Sequence, residues 1–176
     1  TKFNQMRFQL VLFLFLTCSQ ITSAQSNHSE LRGKYLSSSL DESVMPAFRQ
    51  SIDQTSDTKL KEFYQAVYLA LEAKYGTYPF YRYKKIKASH HKLDELAEEY
   101  SQDLEIRFLR MSIQSYTPKW LGFSDDLHTD KEFILNNLNG KAGNQLEPQF
   151  KKAIIDFLEH SECCTDKELA LLSNSF

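Results

Sequence analysis

From Leu31 onward, apolar residues recur at the i, i+3, i+4, i+7 spacing of helices that bury one face, and no stretch alternates as a strand would. Leu31, Tyr35 and Leu36 predict a short first helix. Val44, Ala47, Phe48 and Ile52 predict a second over Ser43 to Asp53, with Pro46 acceptable only in its first turn, where the missing N–H has no partner to lose. The strongest pattern runs from about Asp57 to Tyr75 through Leu60, Phe63, Tyr64, Val67, Tyr68 and Leu71, and Gly76 is expected to close it as a left-handed residue. Ile86, Leu93, Leu96, Ala97 and Tyr100 predict a helix over Phe80 to Tyr100. Leu104, Phe108, Leu109, Ile113 and Tyr116 predict another, capped by Ser101 and stopped before Pro118.

Beyond a loop at Thr117 to His128, Thr129-Asp130-Lys131-Glu132 reads as a capping box. The helix it opens would carry Phe133, Ile134 and Leu138 to a stop at Asn139-Gly140. Gln145 to Glu159 predicts a further helix through Leu146, Phe150, Ala153, Ile154, Phe157 and Leu158. A second box, Thr165-Asp166-Lys167-Glu168, opens a short last one with Leu169 and Leu172. The expectation is one all-α domain over residues 31–176, preceded by a flexible polar segment, 25–30.

The segment before it has a different character. Met6-Arg7 precedes the apolar run Leu10 to Leu16, and Thr22-Ser23-Ala24 offers small residues for cleavage after Ala24, the layout of a secretory signal peptide over residues 1–24 with Met6 as a possible start. The run is far short of the ~20 residues a spanning helix needs. Lipidation of Cys18 is the competing reading, with Thr17 standing where that processing prefers a smaller residue.

Cleavage would leave 152 residues with 19 basic and 23 acidic side chains, an acidic balance that argues against a general nucleic-acid binder. Only Cys163 and Cys164 would remain, adjacent to one another, so no disulfide framework is available and helix packing must supply the stability.

The stretch Leu93-Asp94-Glu95-Leu96-Ala97-Glu98-Glu99-Tyr100 followed by Leu104-Glu105-Ile106-Arg107-Phe108-Leu109-Arg110 resembles the junction of two tetratricopeptide-type helical hairpins, although no Pro separates them and no ~34-residue period recurs. The resemblance implies antiparallel hairpins stacked in a solenoid-like single domain. Glu105 to Arg110, Trp120-Leu121-Gly122-Phe123 and Asp130-Lys131-Glu132-Phe133-Ile134 also resemble uncharacterised exported all-helical proteins of Bacteroidota-type bacteria. That second resemblance implies a compartment and a fold class, and no reaction.

Five groups of residues could carry chemistry. His160 with Cys163 and Cys164 offers soft ligands for zinc or copper, set against a helix end followed by incidental cysteines. His90 falls near the apolar stripe and His91 toward solvent, the pattern of core packing beside surface. Tyr78, Phe80 and Tyr81, with the cations that follow, could stack a sugar or a peptide side chain, or could be bulky filler between two helices. Trp120, the single Trp, is an interaction anchor or a plug on the core. Arg107 and Arg110, three apart, can grip a carboxylate from one helix face or make surface ion pairs. Asp94, Glu95, Glu98 and Glu99 read as a solvated face, and no phosphate loop, nucleophile elbow or two-His helix motif occurs.

These features support an exported, periplasmic or extracellular, non-enzymatic helical module that binds an unknown protein partner in the cell envelope, with no cofactor and no nucleic acid. Two other readings stay open: a small hydrolytic or metal-dependent enzyme using His90, His160 and helix carboxylates, and a protein lipid-anchored through Cys18.

Overall fold

The structure, a computed structural model, describes residues 28–161 and 163–173. The proposed leader, Cys18, Met6 and residues 25–27 lie outside the described residues. Every long element is an α-helix, and the described residues contain no strand. Two compact units divide between Thr58 and Lys59.

In the first unit, α1 (28–40) buries Leu31, Tyr35 and Ser38, while Leu36 is only half-buried. Residues 28–30, expected to be loose, already belong to this helix. Asp41 ends the connection by accepting from the Ser43 N–H at 2.9 Å, and a short 3-10 turn, Glu42–Val44, leads into α2 (Met45–Gln54). Pro46 sits in the first turn of α2 as expected. Phe48 and Ile52 are fully buried, and the Phe48 ring meets Tyr35 at 6.2 Å.

In the second unit, α3 (Thr58–Tyr75) and α4 (Pro79–Glu99) form a hairpin. Their cross-contacts run in opposite directions. Lys85 holds Glu72 at 2.7 Å, Arg82 Nε donates to the Ala73 carbonyl at 3.0 Å, and Ser89 Oγ donates to the Ala66 carbonyl at 2.8 Å. Gly76 between them is not left-handed: among the glycines only Gly122 has a positive φ. The turn needs Gly76 for room, because a Cβ there would meet the Glu72 carbonyl oxygen at 2.9 Å and the Tyr81 ring at 3.0 Å.

The next helix, α5 (Leu104–Tyr116), runs antiparallel to α4, with Arg110 beside Asp94 and Thr117 beside His90. It is the core of the unit: Leu104, Ile106, Phe108, Leu109 and Met111 are all buried. Its cap is Asp103, not Ser101. Asp103 Oδ1 accepts from the Glu105 and Ile106 N–H groups at 2.9 and 3.4 Å, and Lys59 grips Oδ2 at 2.7 Å. The Ser101 carbonyl serves instead as the acceptor for Arg107.

Beyond a 3-10 turn (Lys119–Leu121), α6 (Leu127–Asn137) starts two residues before the capping box expected at Thr129. Thr129 is thus the third residue of the helix rather than its cap, and Asp130 is fully buried and engaged by side chains of α5. The helix expected over Gln145 to Glu159 is α8 (Pro148–His160), which starts three residues later, and a single turn that the periodicity did not predict, α7 (Lys141–Asn144), precedes it. Phe108 receives Phe150 and Phe157 of α8 edge-on at 5.7 and 5.5 Å. The box at Thr165 does form and opens α9 (Asp166–Ser173): Glu168 accepts from the Thr165 N–H at 2.7 Å, and the Glu168 N–H donates to Thr165 Oγ1 at 3.4 Å.

Gly143 in α7 lets its backbone approach the end of α6, where an added Cβ would lie 1.7 Å from the Leu138 carbonyl oxygen and 2.3 Å from its carbon. No side chain can move to relieve a clash with backbone. Gly143→Ala is therefore expected to cost about 1–3 kcal/mol by overpacking, read as a lowered urea midpoint. A midpoint equal to that of the parent would show that α7 does not sit against Leu138.

Candidate functional site

Two features stand out in the second unit, a buried charge cluster and an exposed aromatic surface. The cluster is built by the i, i+3 spacing of Arg107 and Arg110 on α5, which aims both guanidinium groups at α6. Asp130, fully buried, is held at both oxygens. Arg110 Nε donates to Oδ2 at 2.7 Å, while Arg110 Nη2 and Arg107 Nη1 donate to Oδ1 at 2.8 and 2.7 Å. Arg110 Nη1 also pairs with Asp94 and Asp126 at 3.2 Å each, and the Arg107 guanidinium lies over the Phe133 ring. Burial works against the Arg110 charge, but the bonds and charges of Asp130, Asp126 and Asp94 outweigh it and raise its pKa. Burial pushes the Asp94 carboxyl above its ordinary value, opposed by Arg110.

A cleft of ≈ 460 Å³ opens over this cluster, lined by Asp94, Glu98, Ser101, Arg107, Arg110 and Asp126. Arg107 and Arg110 thus grip a carboxylate as their spacing allowed, and that carboxylate is the chain's own Asp130. Asp130 and Asp126 were not singled out in the sequence, where the capping-box pattern drew attention to Thr129 instead.

His90 is nearly fully buried, with its ring stacked on Phe123 at 4.6 Å. Thr117 Oγ1 donates to the Ile113 carbonyl at 2.7 Å, so it accepts from His90 Nε2–H at 3.2 Å. Nδ1 then carries a bare lone pair, buried and without a partner among the described residues. Burial, and next the Arg110 charge, push the His90 pKa from 6.5 down to about 4. The neutral ring is the resident form at neutral pH. His91, four residues before Glu95 and 3.4 Å from it, is exposed as expected.

The aromatic surface surrounds the start of α4. Tyr78 is 75% exposed and Phe80 80%, and Tyr81 and Tyr83 are exposed too. Tyr81 leans on the hairpin, its hydroxyl 3.2 Å from Glu72 and its ring under Lys85. Trp120, on the 3-10 turn closed by Gly122 at φ 73°, is 83% exposed, so it is not a plug. Phe123, three residues on, meets Tyr83 at 6.5 Å while stacking on His90, which places the Trp120 turn beside α4. Phe123 is the residue the sequence did not flag as the joint between these two segments.

The remaining candidates are separate. His160 is exposed, with Nδ1 2.6 Å from its own helix's Asp156 carbonyl oxygen. Cys163 and Cys164 are free thiols with sulfurs 3.8 Å apart. Burial, then Cys163 beside it, pushes the Cys164 thiol up to about 12, so it is a poor thiolate ligand or nucleophile at neutral pH. Among the described residues no group of three or more His, Cys, Asp or Glu side chains could hold a metal ion. Nor is any described helix long and apolar enough to cross a membrane. Comparison with known protein families, curated proteins and solved structures finds no match for this chain.

Removing one partner of a buried ion pair strands the other. Asp130→Asn is expected to destabilise the fold by about 3–5 kcal/mol in urea titration, and the apolar pair Arg110→Met with Asp130→Leu to recover most of that. A stable single variant would show that solvent reaches the cluster.

His90 adds a pH dependence of definite sign. Its folded pKa is depressed, so between pH 6.5 and about 4 the unfolded chain binds the extra proton. Its contribution is whole above 6.5 and is lost as pH falls toward 4, with a slope of at most ~1.4 kcal/mol per pH unit. His90→Phe should flatten the urea midpoint across that window. A parallel profile in the variant would mean His90 is solvated.

Proposed function

We infer that the chain is an exported, non-enzymatic module of the cell envelope, of the tetratricopeptide-like helical-hairpin kind, that works by docking. The observation that carries this reading is the group of large aromatics left in solvent, Tyr78, Phe80 and Trp120. Arg107 and Arg110 are bound to Asp130, His90 is neutral and sealed, and Cys164 is held as a thiol. Soluble chains rarely leave contiguous apolar surface uncovered without a binding role. Aromatic side chains are also the types that dominate binding hot spots. The export signal in residues 1–24 and the likeness to exported helical proteins of Bacteroidota-type bacteria favour the same compartment.

The docking face then comprises Tyr78, Phe80, Tyr81 and Trp120. Arg107 and Arg110 support it from below by fixing α5 and α6. Fractionation of cells expressing the chain checks this: the parent should be retained with the envelope, and Phe80→Ala with Trp120→Ala should release it. Truncating a hot-spot residue typically costs ~2 kcal/mol of affinity. Because both rings are exposed, the double variant should keep its stability within about 0.5–1 kcal/mol. A parent found wholly in the soluble fraction, or a double variant that stays retained, would overturn the reading.

A further inference from the structure

Along the first turns of α4, exposed charge and exposed aromatic surface coincide. Phe80, Tyr83, Lys84, Lys87 and His91 fall on one helical stripe, and all are exposed. The side facing the core carries Ser89, Leu93, Leu96 and Ala97 instead, all buried. From Tyr78 to Lys92 the chain has five Lys or Arg residues and no acid. The whole sequence has a net charge of −2, so everything outside this stretch sums to −7. The cations of this stretch therefore stand among exposed aromatic rings with no acid of the stretch between them.

We propose that this face docks on an anionic lipid bilayer surface. The proposal rests on the reading of these residues as a docking face and names what the face meets. Charge complementarity selects the occupant. An anionic leaflet attracts Lys84 and Lys87 on this stripe, which orients this face of α4 toward the lipid. Tyr, Phe and Trp are the side chains that settle at the headgroup level, and lysine stems lie along apolar surface while their ammonium groups stay wet. The shape agrees. A protein partner would have to supply a pocket for each protruding ring, whereas a bilayer interface deforms around Tyr78, Phe80, Tyr83 and Trp120 without a matching surface. The Phe123 contact with Tyr83 keeps the Trp120 turn beside α4, so both segments reach the interface together. The helix would lie in the interface plane rather than cross it.

Trp120 is the only tryptophan, so its emission reports on this surface alone. The full chain is mixed with vesicles of phosphatidylcholine alone or with about one-third phosphatidylglycerol, at low and at high salt. The expected result is co-sedimentation and a blue shift of Trp120 emission only with the anionic vesicles, reversed by salt. Lys84→Glu with Lys87→Glu, and separately Phe80→Ser with Tyr83→Ser, should each weaken binding about tenfold or more at unchanged helical signal. Absence of binding to anionic vesicles, or equal binding to neutral ones, overturns the proposal. So does binding that both double variants retain, which is what attachment through the apolar run 10–16 would produce. If vesicle binding is absent while envelope retention still depends on Phe80 and Trp120, the lipid surface is wrong and the docking reading stands, with a protein as the occupant. If neither depends on these residues, both fall.

Discussion

The second unit depends on a single carboxylate. Asp130 is wholly removed from solvent, and an ionised group in that position is tolerated only if its oxygens are filled by strong donors. Arg110 and Arg107 supply three, and in doing so they set the distance and rotation of α6 against α5. The same guanidinium groups reach outward to Asp94 on α4 and to the Ser101 carbonyl at the α4–α5 turn, so one cluster joins three helices and a turn. Such a cluster adds less to stability than an apolar core of equal volume would, because desolvation offsets much of the attraction. What it adds is definition: the observed arrangement of α5 and α6 fills both Asp130 oxygens with charged donors.

That definition reaches the exposed surface through His90 and Phe123. The C-terminal half of α4 is committed to the core by Leu93, Leu96 and Ala97 and to the cluster by Asp94. The N-terminal half is held to α3 by Glu72 with Lys85 and Tyr81 and by Arg82 with the Ala73 carbonyl. Its outer face is left to solvent. The neutral His90 ring, sealed between Thr117 and Phe123, gives the Trp120 turn a flat apolar surface to rest on. A helix held along one side and bare along the other can present aromatic rings without disturbing the core that supports it.

The second link runs to the end of the chain. Lys131 donates to the Cys163 carbonyl at 3.1 Å and pairs with Glu168 at 2.8 Å. The bond from Lys131, and next those from Thr165, hold the Glu168 carboxyl down at about 2. Helix α6 thus uses neighbouring residues, Asp130 and Lys131, to bind α5 on one side and α9 on another. This explains why a segment that reads as a helix start in the sequence is the middle of a junction.

Local chemistry decided most of the helices. The apolar spacing of Leu60, Phe63, Tyr64, Val67 and Leu71, the first-turn Pro46 and the Thr165 box act within a turn or two of chain, so they are visible in the sequence. The same holds for buried His90 beside exposed His91, which follows from helical phase. What only tertiary structure decided are contacts between residues far apart in sequence. Thr129-Asp130-Lys131-Glu132 has the local form of a cap, yet α6 begins at Leu127, and Arg107 and Arg110 of another helix hold Asp130 inside it. Ser101 and Asp103 are both acceptable caps locally, and Lys59 together with Arg107 selects between them by engaging one side chain and the other's carbonyl. Trp120 could fold inward or outward by its own chemistry; Phe123 takes the place on His90, and Trp120 is left in water. Periodicity reports which face of a helix is apolar, whereas the partner that covers the face, or leaves it bare, is a property of the assembled chain.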